Sequence, residues 1–490
     1  MMNYRMTSYI LGSIAVITAG LMLIPFLMTF GYGEDLSSTA LGFGVTIAIL
    51  LAAGIPFIVK KPKNTHITSS CGFVTVALAW ILMSIAGALP LCISRVIPNF
   101  IDCIFEMVSG FTTTGASIMT NIDAAPKSIL FWRSMTHWIG GMGILVFVVA
   151  LLPKTGPAIV HLMKAEVPGP EFGKLVSKLR FTARILYCIY LTLTVLQVIF
   201  LVASPKMDLY DAVVFSMSTA GTGGFSNRGI SVAYYDSVYI DVVITVFMML
   251  FAANFNVFYF ILIGRVSAAL RSEEFRTMFI IFGVATLLMT VSLTVYDIYD
   301  NFWESLRYAA FQAASVMSTT GFATADFNTW PTLCHVVLLA LMFIGGSAGS
   351  TAGGLKVSRI VIGAKSAVAG VRKVYSPRGV FPVKLDGRPL SDELRTSVGH
   401  YFIGYFLVTV ISLVLISLAE VDSVGLVENF SAVATCINNV GPGLGSFGPM
   451  YSFAHLTGFS KIVLSFTMLM GRLEIIPILL LFYPKAWSKA

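Results

Sequence analysis

Thr112-Thr113-Thr114-Gly115-Ala116, Ser218-Thr219-Ala220-Gly221-Thr222, Ser318-Thr319-Thr320-Gly321-Phe322 and Asn438-Asn439-Val440-Gly441-Pro442 are four versions of one short phrase. Their glycines stand 106, 100 and 120 residues apart. Each phrase ends a semi-polar run (100–117, 208–224, 302–324 and 426–445) that lies between two long apolar stretches. The helical part of each run, roughly 10–14 residues, is too short to cross a bilayer, which takes about 20. An acid stands thirteen residues before the glycine in three copies, as Asp102, Asp208 and Glu428; in the third the nearest is Glu304, one helical turn further back. Acids there complement the positive end of a short helix. The spacing predicts four units of span, short helix, loop and span.

Outward from these runs, stretches long enough to span fall near 8–30, 40–59, 72–93, 129–152, 184–203, 238–263, 277–296, 332–372 (interrupted), 398–419 and 457–484. The first is too long for a secretory core and no small-residue cleavage site follows it, so it is expected to stay as a span. With 57% hydrophobic and 11% charged residues, the chain lacks the polar surface of a soluble domain. The fold class expected is an all-α polytopic membrane protein, with four helix–pore loop–helix units around one pore and two additional N-terminal transmembrane helices. The expected divisions are 1–66 (two N-terminal helices), 67–153 (pore repeat 1), 154–264 (a basic cytoplasmic loop and repeat 2), 265–376 (repeat 3, its second helix broken) and 377–490 (a cytoplasmic hairpin and repeat 4).

The net charge of +8 is unevenly spread. Segments 1–7, 60–71, 153–184, 264–277, 355–397 and the C-terminal end, with Arg472, hold 25 of the 32 Lys and Arg but 8 of the 24 Asp and Glu. Basic loops stay inside during insertion, which places both termini in the cytoplasm and leaves an acidic outer mouth. This is a topology signal rather than a nucleic-acid surface. The six cysteines are scattered, with no CxxC pair and no His at ligand spacing, and are expected to be buried free thiols.

Non-helical backbone at membrane depth is tolerated where it lines a cavity. Four such loops around one axis would set rings of carbonyl oxygens in place of a cation's water shell, the principle of potassium filters. The expected ion-binding set is Thr113, Thr114 and Gly115; Thr219, Ala220 and Gly221; Thr319, Thr320 and Gly321; and Asn439, Val440 and Gly441, with K+ as the ion. Glycine lets carbonyls turn without a Cβ penalty. The hydroxyls of Thr113, Thr219 and Thr319 and the amide of Asn439 would close the inner end. A later glycine follows in the second and fourth loops (Gly223 and Gly443). Ser/Thr/Gly clusters also serve close helix packing, but four copies in register favour the ion-binding reading.

The span after the third loop is interrupted by Gly345-Gly346-Ser347-Ala348-Gly349-Ser350-Thr351-Ala352-Gly353-Gly354. Each glycine costs a helix about 1 kcal/mol against alanine, so an unwound stretch is expected, lining a cavity or moving. A nucleotide P-loop is excluded because Leu355 stands where its lysine would be. Arg472 sits in the last span, where a charge costs on the order of 2.5–3.5 kcal/mol. Glu474 is off its helix face, and the carbonyls of 345–354 are its expected partners. Gly345, Gly346, Gly349, Gly353, Gly354 and Arg472 are the candidate gate.

The four-loop pattern, Asn438-Asn439-Val440-Gly441-Pro442-Gly443-Leu444-Gly445, and the run from Ser318 to Phe327 resemble the Trk/Ktr/HKT superfamily of potassium transporters, over essentially the whole chain. The length and the two leading spans are similar to the TrkH/TrkG branch. The resemblance implies a filter glycine in each repeat, matched by Gly115, Gly221, Gly321 and Gly441, and potassium over sodium, since Gly115 is not serine. It implies an intramembrane gating loop at 345–354 and a barrier arginine at Arg472. It also implies a homodimer in the bacterial inner membrane. A cytoplasmic ring of TrkA-type nucleotide-binding subunits is expected on the basic loop 355–397, with no cofactor in this chain and nucleotide only on the partner.

Three transport readings stay open on residues alone: a gated channel-like uptake pore, a symporter coupling sodium or protons to potassium, and a potassium-binding subunit of an ATP-driven pump similar to KdpA. No catalytic constellation supports an enzyme. Asn254 and Asn256 read as interhelical hydrogen-bonding groups, His137 as an interfacial histidine beside Trp132 and Trp138, and His335 as uncommitted. Val383-Lys384-Leu385-Asp386-Gly387-Arg388 carries a hairpin turn signal.

Overall fold

A computed structural model describes residues 2–62, 64, 67–143, 179–421 and 424–488. The expected inner loop from 153 to 178, the boundary between repeats 1 and 2, and the end of the span predicted to 152 lie outside the described residues. Two N-terminal helices, α1 (Tyr4–Gly31) and α2 (Leu41–Val59), form the most extensive helix pair. Gly12 and Gly54 let them touch: a β-carbon on either would lie 2.8–2.9 Å from the carbonyl oxygen of the other.

Four units follow, each of a first helix, a short pore helix, a loop and a second helix. The first helices are α3 (Ser69–Ile93), α6 (Leu179–Val202), α11 (Glu273–Val295) and α15 (Asp392–Ala419). The pore helices are α4 (Phe100–Phe111), α7 (Leu209–Gly221), α12 (Phe302–Met317) and α16 (Leu426–Asn438). Local chemistry starts them: Asn99, Asp208 and Asn301 cap α4, α7 and α12 through their side chains. In α16 the Glu428 carboxylate accepts the Gly425 N–H.

The second helices depart from expectation. The sequence places one interruption, in the third unit, and continuous spans elsewhere. Instead α5 (Lys127–Gly141), α8 (Val238–Ala252), α13 (Thr332–Ile344) and α17 (Gly458–Arg472) all stop after 13–15 residues. In the second unit the chain turns by 92° at Ala253–Asn254 into α9 (Phe255–Leu262), and a short α10 (Val266–Leu270) follows. Asn254 causes this, accepting the Asn256 N–H as the N-cap of α9. In the fourth unit Glu474 and Ile475 take positive φ (58° and 70°) before α18 (Ile476–Leu481). Among the described residues six helices are long and apolar enough to cross a membrane, seven if the bent α8–α9 pair counts as one.

After α14 (Val357–Tyr375), a hairpin pairs β1 (Lys384–Leu385) with β2 (Arg388–Pro389). Its turn residues Asp386 and Gly387 both have positive φ (49° and 75°), as the sequence signal required. The two largest apolar clusters wrap the pore helices, and Phe105, Phe111, Phe215 and Phe311 are fully buried. Of the six free cysteines four are buried, while Cys92 is half-buried and Cys188 exposed.

Candidate functional site

The four pore helices end in the same way. A non-glycine residue adopts left-handed backbone at the first loop position: Thr113 (φ 55°), Thr222 (54°), Thr319 (58°) and Asn439 (54°). The next residue's N–H bonds back five residues: Thr114 to Ser109, Gly223 to Ser218, Thr320 to Ser315 and Val440 to Thr435, at 2.8–3.0 Å. The left-handed residue bonds back three, at 3.0–3.3 Å. This is the Schellman closure, usually built on glycine; on a β-branched threonine the conformation costs roughly 1–2 kcal/mol. Glycine then follows at positive φ: Gly115 (81°), Gly224 (80°), Gly321 (80°) and Gly441 (106°).

The second loop therefore runs three residues later than its sequence alignment suggests. Thr219, Ala220 and Gly221 belong to the last turn of α7, and Thr222-Gly223-Gly224 take the loop positions. The Thr219 hydroxyl is spent on the Phe215 carbonyl and the Gln197 amide. Gly221 is small for another reason: a β-carbon there would meet the His137 carbonyl oxygen at 2.2 Å. The acid thirteen residues before the glycine becomes Asp211, and Asp208 is the cap. Gly223 no longer follows a positive-φ loop glycine, so Gly443 alone keeps that later position.

In this register the loops close a ring. A β-carbon on Gly115 would lie 2.0 Å from the Gly223 carbonyl oxygen, one on Gly224 2.1 Å from Thr320, one on Gly321 2.1 Å from Val440, and one on Gly441 2.7 Å from Thr114. Each glycine thus admits the carbonyl of the next loop, and the cycle returns to its start. The side chains below the ring differ. Thr113 Oγ1 is buried with no partner among the described residues. Thr222 Oγ1 donates to the Gly221 carbonyl, Thr319 Oγ1 accepts the Gly353 N–H, and Asn439 Nδ2 donates to Thr114 Oγ1 and the Met468 carbonyl.

The outer limbs of the loops are splinted from behind. Asp211 accepts from Asn227, from Arg228 at 2.8 Å and from the Tyr235 hydroxyl at 2.5 Å. Glu428 accepts the Ser446 N–H at 2.8 Å. That bond and the one from Gly425 hold its carboxyl below the usual carboxylate range. In the third loop Ser315 Oγ donates to the Phe322 carbonyl at 2.6 Å.

Beneath the ring, 345–354 is unwound as expected, yet tied on every side. Ser347 N–H donates to the Ala252 carbonyl (2.9 Å), and Phe255 N–H to that of Gly349 (3.1 Å), so the loop nests in the α8–α9 break. Ala348 N–H donates to Glu274 Oε1 at 2.6 Å, and Gly354 N–H to the Asn438 carbonyl at 3.1 Å. Gly346 sits against Ala252, and Gly349 against the Asn254 side chain. Gly353 abuts the Asn438 carbonyl, and Gly345 and Gly354 abut one another. Arg472 reaches Thr351 O (2.7 Å) with Nη1, and Gly140 O (2.6 Å) and Gly141 O (2.7 Å) with Nη2. Among the described residues it bonds to the Thr351 carbonyl of the loop and to two carbonyls at the end of α5. Glu474 pairs with Arg359 instead.

A family model described as TrkH, a cation transport protein, matches residues 38–489. The chain belongs to the TrkH family. The Trk system potassium uptake protein TrkH of Salmonella typhimurium is 35% identical over the full length of both chains. TrkG of Escherichia coli, likewise a Trk system potassium uptake protein, is 31% identical over 99% of each. The crystal structure of the potassium transporter TrkH from Vibrio parahaemolyticus superposes with a TM-score of 0.89 at 32% identity, covering 99% of this chain and 100% of that one. As a TrkH-family member the chain is a multi-pass membrane transporter and not an enzyme.

Several residues of this TrkH-family site escape the sequence reading. Thr222, Gly223 and Gly224 were masked by the equally plausible Thr-Ala-Gly just before them. Glu106, Arg133 and Glu274 are buried charges in apolar surroundings, a signal of function in themselves. His137 is not interfacial: it is fully buried, its Nδ1 2.7 Å from the Gly110 carbonyl oxygen and its ring 4.2 Å from that of Phe225. His335 Nε2 lies 2.8 Å from the Phe327 carbonyl oxygen.

Proposed function

We propose that this chain carries potassium across the bacterial inner membrane, through a gated channel-like pore whose filter is the ring of four loops. The observation that carries this reading is the ring itself: four identical helix closures, each placing a glycine against the next loop's carbonyl. Backbone oxygens so fixed replace a cation's hydration shell without a charged ligand. The orphaned Thr113 hydroxyl adds one uncommitted oxygen below them. The ion-binding set is Thr113, Thr114 and Gly115; Thr222, Gly223 and Gly224; Thr319, Thr320 and Gly321; and Asn439, Val440 and Gly441.

The gate is the 345–354 loop with Arg472, whose guanidinium bridges that loop to α5 and sets a positive charge below the filter. Both termini and the basic loop 355–397 face the cytoplasm. The membrane subunit works as a homodimer, and a ring of nucleotide-binding TrkA-type subunits docks on that loop, with no cofactor in this chain. Potassium uptake by the Trk relatives supports the choice of ion. The test is rubidium uptake by the purified chain in proteoliposomes with sodium competing, comparing wild type with Gly115→Ser. Saturable uptake resistant to sodium is expected of the wild type, and loss of that uptake in Gly115→Ser, whose β-carbon would lie 2.0 Å from the Gly223 carbonyl oxygen. Wild-type uptake equal to empty liposomes ends the reading. Reversal potentials that follow an imposed sodium or proton gradient would replace the pore by a symporter.

A further inference from the structure

The ring has four seams, and at three of them the loops meet through neutral groups; at two of these the neighbouring helices are also joined by ion pairs, Arg307 with Asp241 and Lys461 with Asp102. Between the second and third loops, Ala233 N–H donates to Ala323 O (3.1 Å) and Ala323 N–H to Ser231 Oγ (3.3 Å). Between the third and fourth, the Asn328 amide spans Gly445, at 3.0 Å to its carbonyl and 2.9 Å to its N–H. Between the fourth and first, Phe453 N–H donates to Ser117 O and Asn439 Nδ2 to Thr114 Oγ1, both at 2.9 Å.

The seam between the first and second loops is closed by a buried ion pair, Glu106 of α4 with Arg133 of α5, 0% and 1% exposed. Arg133 Nε donates to Glu106 Oε1 at 2.7 Å, Nη2 to Ser117 Oγ at 3.0 Å, and Nη1 to the Ser226 carbonyl at 3.4 Å. Ser117 and Ser226 each lie two residues beyond a ring glycine, one in each loop. Glu106 also accepts the Ile118 N–H at 2.7 Å and the Ser117 hydroxyl at 3.0 Å. The guanidinium stands 4.1 Å from the ring centroid of Phe225, the residue after Gly224.

Burying two charges is costly, and a well-packed neutral pair often serves stability as well. At the other seams the loops themselves meet through neutral contacts. The ion pairs there, Arg307–Asp241 and Lys461–Asp102, join helices, and among the described residues neither donates to loop carbonyls on both sides. What the Arg133 guanidinium adds is a rigid planar fork that meets acceptors on both loops at once, a geometry an amine cannot reproduce. We propose that Glu106 and Arg133 are a positioning pair that fixes the separation of the first and second loops, and through it the preference for potassium over sodium. The pair touches no ion; it acts through the seam where the Gly223 carbonyl enters beside Gly115. This inference rests on the filter reading above.

The full chain, purified and reconstituted, is assayed for rubidium uptake against competing sodium, with thermal unfolding in detergent as a check on folding. Arg133→Lys keeps the charge and loses the fork; it is expected to retain uptake while the rubidium-over-sodium preference falls about fivefold, the equivalent of one net hydrogen bond. Ser117→Ala removes a single neutral partner and shifts the ratio the same way by a smaller factor; it decides the matter should Arg133→Lys fail to fold. Folded variants with reduced uptake but the wild-type ratio would make the pair structural only and overturn the proposal, as would an unchanged ratio at unchanged uptake. A wild-type chain that takes up no rubidium defeats the filter reading, a different result from either.

Discussion

The ring and the loop beneath it are both rich in glycine and hydroxyl residues, but are held in different ways. Each ring segment is fixed by its own pore helix, through bonds that reach back three and five residues. The 345–354 loop is fixed from elsewhere: by Ala252 and Phe255 at the bend of the second unit, Glu274 of α11, Asn438 of the fourth pore helix and Arg472 of α17. A locally closed turn has one stable arrangement. A loop held in large part by other elements changes when any of those elements moves. On the function proposed above, selectivity goes with the first kind of construction and gating with the second.

The largest effect should come from breaking the ring where its register is least obvious. Gly224→Ala puts a side chain on a backbone at φ 80° and a β-carbon 2.1 Å from the Thr320 carbonyl oxygen. Neither backbone can yield without opening the cycle, so rubidium uptake is expected to fall about 100-fold or more, to the level of empty liposomes. Ala220→Ser, a change in the segment the sequence alignment would put in the loop, should leave the rubidium-to-sodium ratio unaltered. If the ratio shifts with Ala220→Ser and Gly224→Ala is silent, the earlier register is right.

Removing the arginine that ties the lower loop to α5 comes next. Arg472→Ala deletes three bonds to backbone carbonyls, on Gly140, Gly141 and Thr351, together with a positive charge. Basal flux in the absence of any cytoplasmic partner is expected to rise about tenfold, the change expected from 1.4 kcal/mol. Flux measured in proteoliposomes that matches wild type would remove Arg472 from the gate. Glu274→Gln is milder. The carboxylate accepts the Ala348 N–H at 2.6 Å and the Ser358 N–H at 3.2 Å, and an amide keeps the shape while losing charge assistance. A rise of about three- to fivefold in basal flux is expected from a loss near 1 kcal/mol, with the rubidium-to-sodium ratio intact. A change in that ratio would mean that the lower loop also shapes the filter.

What could be read from sequence divides along the same line. Pore helices, the hairpin turn at Asp386-Gly387 and the unwound 345–354 run are written in nearby residues, and each is found where the sequence places it. The second loop shows the limit. Gly221 and Gly224 both follow a Thr-X pair, and which one enters the loop depends on His137 packing against Gly221 from another unit. The shortened second helices were legible only in the third unit, where glycines break the helix outright. At Asn254 the break is made by an ordinary N-cap in an apolar run, and at Glu474-Ile475 by backbone that no local residue preference favours. The Arg472 partners on α5 are 331 and 332 residues away, a pairing visible only in three dimensions.

The smallest effect tests whether the lower loop feels the cytoplasmic surface. Glu273 and Glu274 are adjacent in the first turn of α11. Glu274 holds the intramembrane loop, while the Glu273 N–H donates to Asp386 Oδ1 at 2.6 Å and its carboxylate pairs with Lys365 of α14. Asp386→Asn weakens an exposed contact of the hairpin, worth at most about 1 kcal/mol, so basal flux should change by less than about twofold. The informative measurement is the double-mutant cycle with Glu274→Gln. Two residues on one helical turn that restrain different bodies cannot act independently if the turn moves as a unit, and the paired change should exceed the product of the single ones. Strict multiplicativity would mean that the hairpin and the loop are anchored to α11 separately. A push on the hairpin would then reach the loop through α14 rather than α11.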